Sequence, residues 1–82
     1  MTKTHWLFDI DGTITDSRKP IKPEMLEFML AFCRSSSVSF VTGSNIERTL
    51  QQIPEELFLA VEYCFCCSGN QIYKEGALLY ED

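Results

Sequence analysis

The chain has no cluster of Lys or Arg; its seven basic residues are scattered among twelve acidic ones, for a net charge of -5. A basic stripe is the electrostatic footprint of nucleic-acid and anionic-membrane binding, so neither partner is expected. The sequence also has no apolar run near the roughly 20 residues of a membrane-spanning helix. Its start, Met1-Thr2-Lys3-Thr4-His5, lacks the charged-then-apolar layout of a secretory leader, and a cytoplasmic location is expected. Histidine occurs once, at His5, so a site built on several imidazoles is excluded. Cysteine is present four times (Cys33, Cys64, Cys66 and Cys67), but without the paired spacing of a zinc knuckle or the context of a disulfide framework. Reduced thiols filling a buried strand are the expectation.

What is present is enough for a small core. Apolar residues make up 45% and charged ones 23% of 82 residues, a composition that folds rather than stays disordered. One domain over residues 1–82 is expected, burying roughly 60–65% of the surface of its unfolded chain.

His5-Trp6-Leu7-Phe8 reads as a buried strand feeding an Asp-Gly-Thr turn. After Pro23, which suits the first turn of a helix, Met25, Leu26, Met29, Leu30 and Cys33 recur at helical spacing. Ser35-Ser36-Ser37 breaks that pattern, and Val38 to Val41 forms a second strand ending in Thr42-Gly43-Ser44-Asn45. Ser44 and Glu47 match a capping box, predicting a helix that turns Ile46, Leu50 and Ile53 inward until Pro54. A short helix over 55–60, a third strand over 61–67 and a hairpin over 71–80 turning at Lys74-Glu75-Gly76 complete the reading. The β-α-β-α-β order predicts an α/β fold with a parallel, Rossmann-like sheet of about three strands, both helices on one face, and a C-terminal β-hairpin.

In such a sheet, ligands bind at the carboxyl ends of the strands, where both polar turns lie. Asp9 and Asp11 flank a turn that Gly12 makes possible, so their oxygens can converge on a small hard cation such as Mg2+. Thr42, Gly43 and Ser44 present hydroxyls and backbone N–H groups to an anion beside it. A carboxylate that attacks phosphorus, a second that handles the proton, and a metal that offsets charge make up a phosphoryl-transfer site.

The apolar strand followed by Asp9-Ile10-Asp11-Gly12-Thr13-Ile14-Thr15 resembles the first signature of the haloacid dehalogenase superfamily. The strand ending in Thr42-Gly43-Ser44 is similar to its second. Gly69, Tyr73, Lys74 and Gly76 fall in step with the strand, turn and hairpin of eukaryotic-type phosphomannomutases and related sugar phosphatases, while Ser68, Asn70 and Cys66-Cys67 depart from that pattern. The resemblance implies that Asp9 is the nucleophile and a magnesium ligand. It makes Asp11 the general acid/base, lending its backbone carbonyl to the metal. Thr42 would hold the phosphoryl group, with Gly12, Thr13, Gly43 and Ser44 completing the phosphate cradle. The implied substrate is a phosphorylated small molecule, with sugar phosphates as the candidate class.

The superfamily's cap domain, third-signature lysine and fourth-signature acids have no counterpart here, so the chain is expected to be a truncated form. Neither Lys74 in the hairpin nor Glu81-Asp82 has the strand context to replace them. Three readings follow: a slow phosphatase or phosphotransferase, a non-catalytic remnant or phosphate- and metal-binding module, or half of a split enzyme. A phospho-accepting receiver domain is disfavoured by the order of its acids. The first strand is central in complete family members, so its bare edge here predicts a homodimer or a complementing chain. His5, Trp6, Phe8 and the Met25/Met29 stripe are read as packing residues.

Overall fold

A computed structural model describes residues 4–16 and 19–82. Its strands are β1 (His5–Asp9), β2 (Ser37–Val41), β3 (Tyr63–Cys66), β4 (Gln71–Lys74) and β5 (Ala77–Glu81). The helices are α1 (Pro23–Ser35), α2 (Ile46–Gln52) and α3 (Glu55–Ala60). The five strands form one sheet in chain order, with β1, β2 and β3 parallel and β4 and β5 added antiparallel as the hairpin. This is the expected α/β arrangement. The hairpin turns through Glu75 and Gly76, both at positive φ. A Cβ at Gly76 would meet only the tip of the exposed Leu59 side chain, so it is the positive φ that favours glycine there.

Alternation within the strands sorts the sheet into two unlike faces. Val38 and Phe40 of β2 and Cys64 and Cys66 of β3 are buried and meet Met29, Ile53, Leu57 and Phe58 from the helical side. Each large apolar side chain so enclosed stabilises the fold by about 1.5–3 kcal/mol relative to leaving it exposed. The thiols of Cys64 and Cys66 are reduced, buried and 3.8 Å apart, filling the strand as expected. No helix among the described residues is long and apolar enough to cross a membrane.

Three sequence expectations need correction. The first strand is not buried: His5, Trp6 and Leu7 are exposed and Phe8 is half-buried, because among the described residues β1 pairs with β2 alone. The third strand starts at Tyr63, since Val61 is buried as the C-cap of α3. Around α2, Ile46 packs against the core and Ile53 is buried as expected, but Leu50 is 39% exposed and Thr49 and Gln52 are buried instead. Its cap is not the Ser44/Glu47 box; Asn45 stands at the N-cap, and its side-chain oxygen accepts the Arg48 amide at 2.9 Å.

Candidate active site

The turn after β1 closes on a single carbonyl. The Ile10 oxygen accepts from the amides of Thr13, Ile14 and Thr15 at 3.0–3.2 Å and from the Thr15 hydroxyl at 3.3 Å. Gly12, at φ 81°, supplies the left-handed residue that this reversal needs, and its amide donates to Thr15 O at 2.9 Å. Ile10 is fully buried and donates to Val41 O, pinning the loop to the end of β2. Asp9 therefore leaves the end of β1 exposed, beside its register partner Val41, and Asp11 follows half-buried.

The second turn is braced from both sides. Thr42, 2% exposed, donates its amide to Phe65 O and accepts the Ser68 amide at its own carbonyl, while the Ser44 carbonyl accepts the Cys67 amide. Cys67 and Ser68 adopt positive φ to make those contacts. The Ser44 amide donates to Thr42 Oγ1 at 3.1 Å and the Arg48 amide to Asn45, so neither of these N–H groups is held ready for an anion as the sequence had suggested. The hydroxyls of Thr42 and Ser44 are further hydrogen-bonding groups of the turn, the former already accepting the Ser44 amide.

A hollow at this end of the sheet is lined by Asp11, Thr42, Gly43, Ser44, Arg48 and Gln52. Four of the six were singled out in the sequence; Arg48 and Gln52 were not. Both sit on α2 with no local motif around them, and only the placement of that helix brings them to the site. Gln52, 5% exposed, donates from Nε2 to Asp11 Oδ1 at 2.9 Å, while its Oε1 is buried with no partner among the described residues. Arg48 places a permanent cation among these groups. Gly12 and Thr13 line a neighbouring hollow with Lys22 and Met25, their amides spent inside the turn.

For a hard cation, the oxygens of Asp9 and Asp11 match magnesium's habit of taking one or two carboxylates and filling the rest with water and substrate oxygens. Among the described residues no cluster of three or more His, Cys, Asp and Glu could hold a metal. The donor set thus fits an ion completed by its substrate, and does not fit a closed protein cage.

No protein-family model matches the chain. It is 37% identical over 73 residues to a phosphomannomutase of Nicotiana benthamiana, an alignment that covers 89% of this chain and 29% of that one. Among solved structures, it resembles a haloacid dehalogenase-like hydrolase from Bacteroides thetaiotaomicron, with TM-score 0.72 and 19% identity over 99% of this chain and 32% of the other. A haloacid-dehalogenase subclass IIB sugar phosphatase gives TM-score 0.60 and 20% identity, covering 96% and 31% respectively. The chain spans about 29% of the length of the curated relatives it matches. By its sheet order and its aligned sequence, the chain has the α/β fold of haloacid-dehalogenase-like proteins and is similar in sequence to the amino-terminal part of phosphomannomutases.

Proposed function

We propose that this chain carries a magnesium-dependent phosphoryl-transfer site, of the phosphatase or phosphomutase type, for a phosphorylated small molecule of the sugar-phosphate class. The observation that carries this reading is the convergence of Asp11, Thr42, Ser44 and Arg48 on one hollow at the carboxyl end of the parallel strands where Asp9 stands.

In the proposed reaction an Asp9 carboxylate oxygen attacks phosphorus and the bond to the ester oxygen breaks, leaving an acyl phosphate. Asp11 gives its proton to the departing alkoxide, then takes one from the water that cleaves the acyl phosphate. Asp9 and the Asp11 backbone carbonyl would hold Mg2+, which would offset the charge on the phosphoryl group. Thr42 and Ser44 hold the phosphoryl oxygens by their hydroxyls, and the Arg48 guanidinium attracts the dianion into the hollow. Gln52 donates to Asp11 Oδ1 and so orients the carboxylate for that role.

We propose as a second reading of the same hollow a non-catalytic remnant or phosphate- and metal-binding module, or half of a split enzyme. In either case we propose a cytoplasmic chain with a homodimer or complementing-chain contact along β1. The deciding experiment is magnesium-dependent phosphate release from aryl and sugar phosphates by the purified chain beside an Asp9→Asn control. Release by the wild type alone supports the enzyme; release no greater than the control removes it and leaves the binding module.

A further inference from the structure

Among the described residues, three that are not glycine have positive φ, and two of these are neighbours: Cys67 at 52° and Ser68 at 56°, with Glu75 of the hairpin at 50°. The left-handed region crowds the Cβ of an L residue against its own backbone, so residues other than glycine seldom occupy it. Gly69 follows at φ 96°, which puts three consecutive left-handed residues between β3 and β4. Strain of this kind persists only where the surrounding structure over-determines it, and such positions cluster at functional sites.

Strand geometry explains what the conformation achieves. The Phe65 carbonyl accepts the Thr42 amide, so the main chain of Phe65 faces β2. By alternation Cys67 faces β2 again, and in an extended chain Ser68 would face away from it. The left-handed turn at Cys67 overrides that alternation. Two consecutive amides then point the same way, Cys67 donating to Ser44 O at 2.9 Å and Ser68 to Thr42 O at 3.0 Å. An extended segment would supply the first of these bonds and lose the second.

The pair completes the hold on the turn after β2. Thr42 is tied by its amide to Phe65 O, and its hydroxyl accepts the Ser44 amide at 3.1 Å. With Cys67 and Ser68 in place, the amide and the carbonyl of both Thr42 and Ser44 are engaged. The Thr42 hydroxyl therefore stands on a segment pinned on either side of Gly43. The bracing loop does this without crowding the turn, since a Cβ at Gly43 would lie 3.8 Å from Ser68 Oγ, an ordinary contact.

From these relationships we infer that Cys67 and Ser68 are positioning residues for the Thr42 turn: their left-handed main chain brings two consecutive amides onto the Ser44 and Thr42 carbonyls and so fixes the Thr42 hydroxyl in the hollow. The brace itself does not depend on the proposed chemistry; that the fixed hydroxyl serves a phosphoryl group rests on the phosphoryl-transfer reading. Because the backbone makes both bonds, the residue at position 68 matters through its tolerance of positive φ.

Substitutions at Ser68 isolate that tolerance. Ser68→Gly keeps the N–H and enters the left-handed region freely, Ser68→Asn accepts it, and the β-branched Ser68→Val opposes it. Glu75→Val imposes the same strain in the hairpin and is the matched control. Amide hydrogen exchange of the full chain, followed by NMR, reads the brace without any ligand, and calorimetric titration with inorganic phosphate reads its consequence. Ser68→Val and Glu75→Val should lower the urea midpoint alike. Ser68→Val should speed exchange at the Thr42 and Ser44 amides about tenfold more than Glu75→Val does, the left-handed penalty being worth about that factor in an equilibrium constant. It should also weaken phosphate binding about tenfold, while Ser68→Gly, Ser68→Asn and Glu75→Val stay within about twofold of the wild type. Turn amides that exchange no faster in Ser68→Val than in Glu75→Val would overturn the inference, as would wild-type phosphate affinity in Ser68→Val. Loss of binding in Ser68→Gly as large as in Ser68→Val would overturn it too, by placing the effect in the side chain. A wild type that binds no phosphate would remove the phosphoryl-transfer reading, and the exchange rates would then decide the brace alone.

Discussion

Gln52 Nε2 donates to Asp11 Oδ1 across 2.9 Å, joining the last residue of α2 to the loop that follows β1. The two residues are 41 positions apart, and the bond closes a circuit through both halves of the candidate site. The backbone carries it further, because the Ile21 amide donates to Gln52 O at 2.7 Å. One buried side chain thus sets where the Asp11 carboxylate sits relative to the Thr42 turn.

Gln52→Ala should therefore act on both stability and chemistry. Losing a buried hydrogen bond to a carboxylate costs about 1–3 kcal/mol, readable as a lower urea midpoint. If Asp11 is the acid/base group, kcat should fall about 10-fold to 100-fold with KM little changed, and the pH–rate profile should shift. A loss of stability with unaltered kcat and profile would reduce Gln52 to a packing role.

Arg48 makes a different prediction. Its guanidinium lines the hollow but is exposed and attached to a short helix, so its removal should leave folding nearly untouched. Arg48→Ala should weaken inorganic phosphate binding by about tenfold, with Arg48→Lys recovering part of it as a point charge without the bidentate fork. Calorimetric titration with phosphate measures this without turnover; equal affinity in all three proteins would take Arg48 out of the site.

How far the site was legible follows from the kind of signal each residue leaves. Asp9, Asp11, Gly12 and Thr42 lie in compact strings where an apolar strand gives way to a polar turn, and that local pattern survives folding. Gln52 and Arg48 become site residues only because α2 packs with Thr49 and Gln52 inward, a rotation that its seven residues are too few to encode as a hydrophobic stripe. The cap moved from Ser44 to Asn45 because the Thr42 hydroxyl takes the Ser44 amide, extending the turn by a residue. The exposure of β1 was illegible for another reason. An apolar run reads the same whether the strand is flanked on both sides or stands at an edge, and only the strand order separates the two cases.

The cap assignment itself can be tested. Asn45→Ala should cost about 1 kcal/mol in chemical denaturation, because the Arg48 amide loses its acceptor. Ser44→Ala should cost less, since its hydroxyl is not the cap. The reverse ranking would restore the capping box read from the sequence.

The response of stability to alkaline pH tests the thiol packing under the Thr42 turn. Cys64 is pushed up from its ordinary value of 9.0 by its hydrogen bond with Cys66 and by burial, Cys33 is raised by burial, and Tyr73 is raised from 10.0 chiefly by burial. In the unfolded chain these groups ionise at their ordinary values, while the folded protein keeps their protons. Above about pH 9 the unfolded state therefore binds fewer protons and stability falls as pH rises. Cys66 runs the other way: the hydrogen bond with Cys64, joined by that with Thr49, lowers it to about 7. The folded state then releases this proton before the unfolded state does, so stability gains between about pH 7 and pH 9 before the decline begins. Urea midpoints measured under reductant across that range should pass through a maximum near pH 9. Cys64→Ala, which removes the partner of Cys66, should flatten both limbs. A midpoint that climbs steadily through pH 10, or a variant that reproduces the wild-type curve, would show that the Cys64–Cys66 contact does not govern the alkaline response.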